Sequence, residues 1–321
     1  MNVCISDATL KQEFYIVAFS TYVNVWYILF VGVFLVFLMA ICGNLLITVL
    51  IWIFPHLHIP MYIFLCNLSV LDIIHVSAIL PKLMSIMLKG DYNISFVGCL
   101  LQMFIFVLCL NTDFLLLTSM AYDRYVAICI PLQYSIIMNV KTGAMLASAC
   151  WVIGAINAVM HSFLMSQLAF CYSKTINHFF CDLRAILKQS SDDTMHIKTI
   201  IFAEGVLFGF IPFILILASY ICIITAICKI HSTAGRLKTF SSCSSHITVV
   251  ILFCGASLSQ YMKPETEQSE EQDKLLSLLY IAVVPMLNPL VYSLRNKDVL
   301  LALKIFIKIK VSNFLSGAFG K

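Results

Sequence analysis

Asp123 and Arg124 stand side by side at the end of a long apolar run that opens near Phe96. Adjacent opposite charges at the end of a bilayer-length helix are costly to desolvate. They belong near the interface and are kept for a reason other than packing. Asn44, Asp72, Asp113 and Asn288 are polar groups inside otherwise apolar runs. An ionised carboxylate at that depth costs at least about 2–3 kcal/mol unless it is paired or hydrated. Glu204 is the sole acid in the outer half of its own run. No nucleophile–base pair stands out, and no Cys/His spacing matches a zinc site. These residue types suit recognition and switching, so no enzyme activity is expected.

The elements that must position them are membrane helices. The chain has 321 residues, 61% hydrophobic and 11% charged, against roughly 25% charged in soluble domains. Its mean hydropathy is +0.97. Several apolar runs reach the roughly 20 residues that cross a hydrocarbon core. They are continuous rather than alternating, which indicates helices and not barrel strands. Seven spans are expected, at about Val25–Ile53, Pro60–Leu88, Phe96–Ile128, Thr142–Met165, Ile197–Lys229, Thr239–Met262 and Leu275–Leu294. One domain covers 1–321: a tail over 1–24, the bundle over 25–294, and a helix and tail over 295–321. There is no internal repeat.

The net charge of +4 comes with no Lys/Arg cluster outside the loops and tail, so no nucleic-acid partner is expected. Lys and Arg lean modestly toward the segments that would be cytoplasmic if the N-terminus lies outside. The acids agree, with Glu265, Glu267, Glu270, Glu271 and Asp273 on the outer side. The chain opens without a basic region and cleavage site, so the first span is expected to act as the targeting signal. Past the seventh span, Leu300, Leu303, Phe306 and Ile307 share one helical face, and Lys297, Lys304 and Lys308 another. That pattern predicts a short amphipathic helix on the lipid surface. The cysteines within apolar runs are read as small core residues.

Met120-Ala121-Tyr122-Asp123-Arg124-Tyr125-Val126-Ala127-Ile128-Cys129 resembles the end of the third helix in rhodopsin-like G-protein-coupled receptors, and in odorant receptors above all. Four further strings carry the resemblance along nearly the whole chain. They are Leu57-His58-Ile59-Pro60-Met61-Tyr62-Ile63-Phe64-Leu65 with Leu68-Ser69-Val70-Leu71-Asp72, Ser219-Tyr220, Lys238-Thr239-Phe240-Ser241-Ser242-Cys243-Ser244-Ser245-His246, and Pro285-Met286-Leu287-Asn288-Pro289-Leu290-Val291-Tyr292-Ser293-Leu294-Arg295-Asn296.

The resemblance implies an all-α seven-transmembrane bundle in the plasma membrane, multi-pass, with an extracellular N-terminus. It implies a small-molecule odorant and a heterotrimeric G protein of the Gs/Golf class as partners, with cyclic AMP as the output. Asp123, Arg124 and Tyr125 would form the cytoplasmic switch, with Asn288, Pro289 and Tyr292 as the segment that rotates on activation. Cys99 and Cys181 would form a disulfide over the pocket mouth. Cys171 is either free or reaches Cys4. Phe106, Val107, Leu110, Asn111, Glu204, Phe208, Ser257, Leu258 and Tyr261 would line the ligand site. Glu204 either faces that site or pairs with Lys198 or water. Asp72, Asp113, Asn44 and Asn288 would surround a central cavity that either holds a sodium ion or forms a purely structural hydrogen-bond network. No other cofactor is implied.

Two features depart from the family pattern. Phe253-Cys254-Gly255 replaces the usual Phe-Tyr-Gly of the sixth span, and the amino-terminal glycosylation sequon is missing, with Asn93-Ile94-Ser95 close to the membrane and Asn67-Leu68-Ser69 inside a helix. Two rival readings carry their own signatures. A receptor for an amine would carry an acid where this chain has Phe106. A transporter would show repeated halves and interrupted helices.

Overall fold

The computed structural model describes residues 13–19, 26–170, 174–261, 267–295 and 298–308, with side chains except at 238, 241–242, 258–261, 267–270 and 293–295. Its long helices are α1 (Trp26–Ile53), α2 (Pro60–Lys89), α3 (Phe96–Cys129), α4 (Val140–Ser166), α5 (Met195–Cys228), α6 (Thr233–Tyr261), α7 (267–295) and α8 (298–308). The first five, and Glu271–Tyr292 within α7, are long and apolar enough to cross a membrane. The apolar part of α6 is shorter, Cys243–Ser257. The chain is a seven-helix membrane bundle.

Local chemistry sets the helix ends. Pro60 opens α2, where a missing N–H costs nothing. Gly90 closes it at φ +65, a left-handed turn that favours glycine. The Ser95 hydroxyl accepts from the Gly98 amide at 3.1 Å, and Asn139 Oδ1 accepts from Thr142 at 3.0 Å, capping α3 and α4.

Helix α3 is the pillar of the bundle, with 67% of its most apolar window buried against 22% for α5 on the perimeter. Large apolar side chains such as Trp52, Ile156, Phe163, Phe202 and Ile251 point outward. Lipid is the solvent that accepts such a surface, and helices satisfy their own backbone groups there. Close approaches knit the bundle. A Cβ on Gly43 would lie 3.0 Å from the Pro289 ring, so the bare backbone at residue 43 lets α1 and α7 approach closely.

The spans expected from hydropathy agree with α1–α5 to within a few residues. Helices α6 and α7 begin earlier than expected, at Thr233 and 267. Their first turns are polar, and hydropathy registers the part of a helix that fits lipid rather than the helix itself. Two π-helical stretches, Gly205–Phe210 in α5 and Leu279–Val283 in α7, also lie beyond what hydropathy can signal.

A small sheet caps the outer face. β1 (Glu13–Ile16) lies between β2 (Asn93–Ser95) and β3 (Thr175–Ile176), antiparallel to the first and parallel to the second. It joins the N-terminal segment to two outer loops. Helix α8 buries Val299 and Ala302, with Leu303 and Phe306 packed against the core. Ile307, expected on the same face, is exposed instead. The phenol of Tyr62 on α2 donates to Asp298 at 3.2 Å, holding α8 to the bundle.

Candidate functional site

Helices α3, α4, α5, α6 and α7 enclose a cavity of about 520 Å³ in their outer halves. Phe106, Val107, Leu110, Asn111, Glu204, Phe208 and Ser257, all expected from the sequence, line it. The side chains of Leu258 and Tyr261 lie outside the described residues. The walls are mostly apolar with a few polar groups, the usual make-up of a small-molecule site.

The second outer loop closes the cavity from above. Cys181 is bonded to Cys99 at the start of α3, with Cα atoms 5.4 Å apart. The Cys181 amide donates to Gln102 Oε1 at 2.9 Å, and Gln102 donates on to the Ala78 carbonyl at 3.0 Å. Phe180 packs on Phe106 with ring centroids 5.0 Å apart, and Tyr280 lies 6.1 Å from Phe106 on another side. Beside them, Lys274 of α7 is fully buried. Its three ammonium protons go to the Ala18 carbonyl and Asn177 Oδ1, both at 2.7 Å, and to Glu271 at 2.8 Å. One side chain thus ties the N-terminal segment, the outer loop and α7. His178 next to this cluster is buried, and burial pushes its pKa down to about 4. Cys4 and Cys171, left open by the sequence, lie outside the described residues.

Glu204 stands on the cavity side of α5, where it hydrogen-bonds to His161 of α4. Its partner is a histidine rather than Lys198, which lies separately in the cavity wall. Sequence reasoning missed His161 and Asn157, as well as Phe114 and Tyr280. A signal existed for the first two. Asn157 and His161 are polar residues four apart in an otherwise apolar span, so they share a helical face. Below the cavity, Cys254, the departure from the pattern of the sixth span, is buried. Phe253 packs edge-on to Phe114 at 4.8 Å.

A buried polar cluster sits deeper. Asn288 donates to Asp72 Oδ2 at 2.9 Å, and Asn44 donates to the Pro285 carbonyl at 2.9 Å. Asp113 Oδ1, Asn44 Oδ1 and Asn288 Oδ1 have no protein partner among the described residues. Hard oxygen donors of this kind suit an alkali or alkaline-earth cation in their chemistry.

At the opposite end of α3, both oxygens of buried Asp123 are occupied. Arg124 Nε donates to Oδ2 at 3.0 Å, and the Tyr134 phenol donates to Oδ1 at 2.9 Å. Burial, followed by the Asp123 charge, holds the Tyr134 phenol well above its ordinary range. Tyr220 on α5 hydrogen-bonds to His246 on α6 at 2.5 Å, and Ser245 donates to the Val291 carbonyl of α7 at 3.1 Å. Tyr292 is buried near by. Tyr125 packs partly buried against the core, its ring 6.4 Å from that of Tyr122. The arginine is therefore restrained by its own neighbour, inside a polar set that links α3, α5, α6 and α7.

Seven membrane helices with a cavity toward one end and a buried acid–arginine pair toward the other are the make-up of a G-protein-coupled receptor. The family model described as olfactory receptor matches residues 33–309. Human olfactory receptor 2L5 is 43% identical over 277 residues, 86% of this chain and 88% of that protein. Olfactory receptor 1E5 of Pan troglodytes is 43% identical over 292 residues, covering 91% and 92%. Human olfactory receptor 1S1 is 40% identical over 310 residues, covering 96% and 94%. The chain belongs to the olfactory receptor family, a family of receptors rather than enzymes.

Proposed function

We propose that this protein sits in the plasma membrane with its N-terminus outside, binds a small organic odorant in the outer cavity, and activates a Gs/Golf-class G protein to raise cyclic AMP. The observation that supports it best is the separation of two sites in one bundle. A mostly apolar, loop-covered cavity lies at the outer end, and a restrained arginine lies at the inner end of the same central helix, α3. Odorant binding shifts a two-state bundle only through contacts that differ between the states. Arg124 on release from Asp123 would face the G protein. Screening a chemically diverse odorant panel on cells expressing the chain, with cyclic AMP as readout, tests the reading. Arg124→Ala is expected to keep surface expression and abolish the signal. Full agonist-driven cyclic AMP from Arg124→Ala would remove that residue from the coupling step.

We further propose a sodium ion at Asp72, Asp113, Asn44 and Asn288. The unpartnered oxygens of that cluster support it, and the cation would ease repulsion between the two acids. Raising sodium at constant ionic strength is expected to lower basal cyclic AMP in the native chain but not in Asp72→Asn. Equal responses in both would leave the cluster as a structural network.

A further inference from the structure

The cavity is apolar along Phe106, Val107, Leu110 and Phe208, but one wall is not. Asn157 and His161 of α4 and Glu204 of α5 all line it there, each mostly or wholly buried, and His161 touches Glu204. Residues four apart on a helix stack on one face, so the Asn157 amide lies one turn below the His161 ring. The ring uses Nε2 on one oxygen of Glu204. A carboxylate oxygen can only accept, so Nε2 is the donor. Several cavity-lining polar atoms are left over among the described residues, including His161 Nδ1 and Ser257 Oγ, and two are of fixed and opposite kind: Glu204 Oε1 is a pure acceptor, and Asn157 Nδ2 is a pure donor. Neither has a protein partner among the described residues.

Buried polar atoms without partners are rare because leaving them unpaired is costly. A ligand that supplies both partners gains most, and one that supplies neither leaves that cost in place. A hydrocarbon supplies neither. An ether or ketone can accept from Asn157 but has no proton for Glu204. A carboxylate can accept, but it adds a second negative charge beside Glu204 in a low-dielectric site. An ammonium can donate to Glu204 but has no lone pair for Asn157 Nδ2. A hydroxyl does both with one atom, and the remainder of such a molecule suits the aromatic and aliphatic walls.

We infer that the cavity selects an apolar molecule ending in a single hydroxyl, which donates to Glu204 and accepts from Asn157. This rests on the outer cavity being the ligand site of an odorant receptor, and it names the class of ligand. His161 is a positioning residue that holds the Glu204 carboxylate.

The test uses matched sets built on linear, cyclic and aromatic bodies, each as the alcohol, its methyl ether and the corresponding carboxylate. Each is read by cyclic AMP dose–response on the full-length chain and by thermal shift of the purified receptor. For bodies that fit, the alcohol is expected to be roughly tenfold or more potent than its ether, with the carboxylate weakest. In Glu204→Leu the alcohol and ether should converge, because the lost acceptor served only the alcohol. In Asn157→Leu both should weaken while the alcohol stays ahead. The ratio is taken within one variant, so differences in expression cancel.

Ethers or carboxylates equal to or better than alcohols in the native chain would overturn the inference. So would an unchanged ratio in Glu204→Leu. Alcohol-specific thermal shifts without any cyclic AMP would uphold the ligand class and remove the proposed G-protein output. Neither a shift nor a signal from any compound would overturn both.

Discussion

His178 carries a pH prediction of its own. It is buried among Phe179, Phe180 and the Lys274 cluster, and its pKa falls from an ordinary 6.5 to about 4, through burial first. The folded protein therefore holds it neutral, whereas the unfolded chain would protonate it below 6.5. Its contribution to stability is fully present above 6.5 and is lost as pH falls from there toward 4, reaching about 3 kcal/mol. Thermal melts of the detergent-solubilised receptor at pH 7.5 and 4.5 should show a smaller acid loss in His178→Phe than in the native chain. Equal losses would mean that the histidine is already solvated. Asp123, by contrast, is committed on both oxygens, to Arg124 and to Tyr134. Its partner Arg124 was evident from adjacency alone. Tyr134 was not, because a loop residue eleven positions on reaches Asp123 only when the chain turns back after α3.

Among the elements, the outer loop behaves as a lid held by several unlike fasteners. The Cys99–Cys181 bond fixes it to α3, β3 pairs it with the N-terminal strand, and Lys274 joins it to α7. Closing a loop with a separation of 82 residues is worth about 4–5 kcal/mol in the chain-entropy model. Cys99→Ser and Cys181→Ser should each lower surface expression, and the double variant should be no worse than either, since one bond is lost in every case. Additive losses on flow cytometry would argue that the two thiols act separately. The π-helical stretch of α5 lies directly after Glu204, and it shifts the register of the residues that follow. That shift helps explain why a cavity wall on α5 was hard to read from spacing alone.

Taken as one molecule, the bundle turns an apolar belt toward lipid and gathers its polar groups at three depths: the cavity wall, the Asp72 cluster and the Asp123 switch. The proposed orientation rests on where its cations and acids fall. An epitope tag at the N-terminus should stain on intact cells, and one at the C-terminus only after permeabilisation. The reverse pattern would invert the proposed assignment of cavity and switch to the two sides of the membrane.

The sequence by itself determined the membrane class, the spans that became α1–α5, the acid–base pair at residues 123–124 and most of the cavity-lining positions on α3, but only Glu204 and Phe208 of the wall on α5. Those features are carried by continuous apolar length, by direct adjacency and by motif strings, all local along the chain. Tertiary structure alone decided the partner of Glu204, since His161 lies 43 residues away on another helix. It alone placed Lys274 at the junction of three segments and built the outer sheet from strands of two to four residues. Strands that short carry no usable periodicity. A buried lysine looks like any loop lysine until its three acceptors, each from a different part of the chain or a neighbouring turn, close around it.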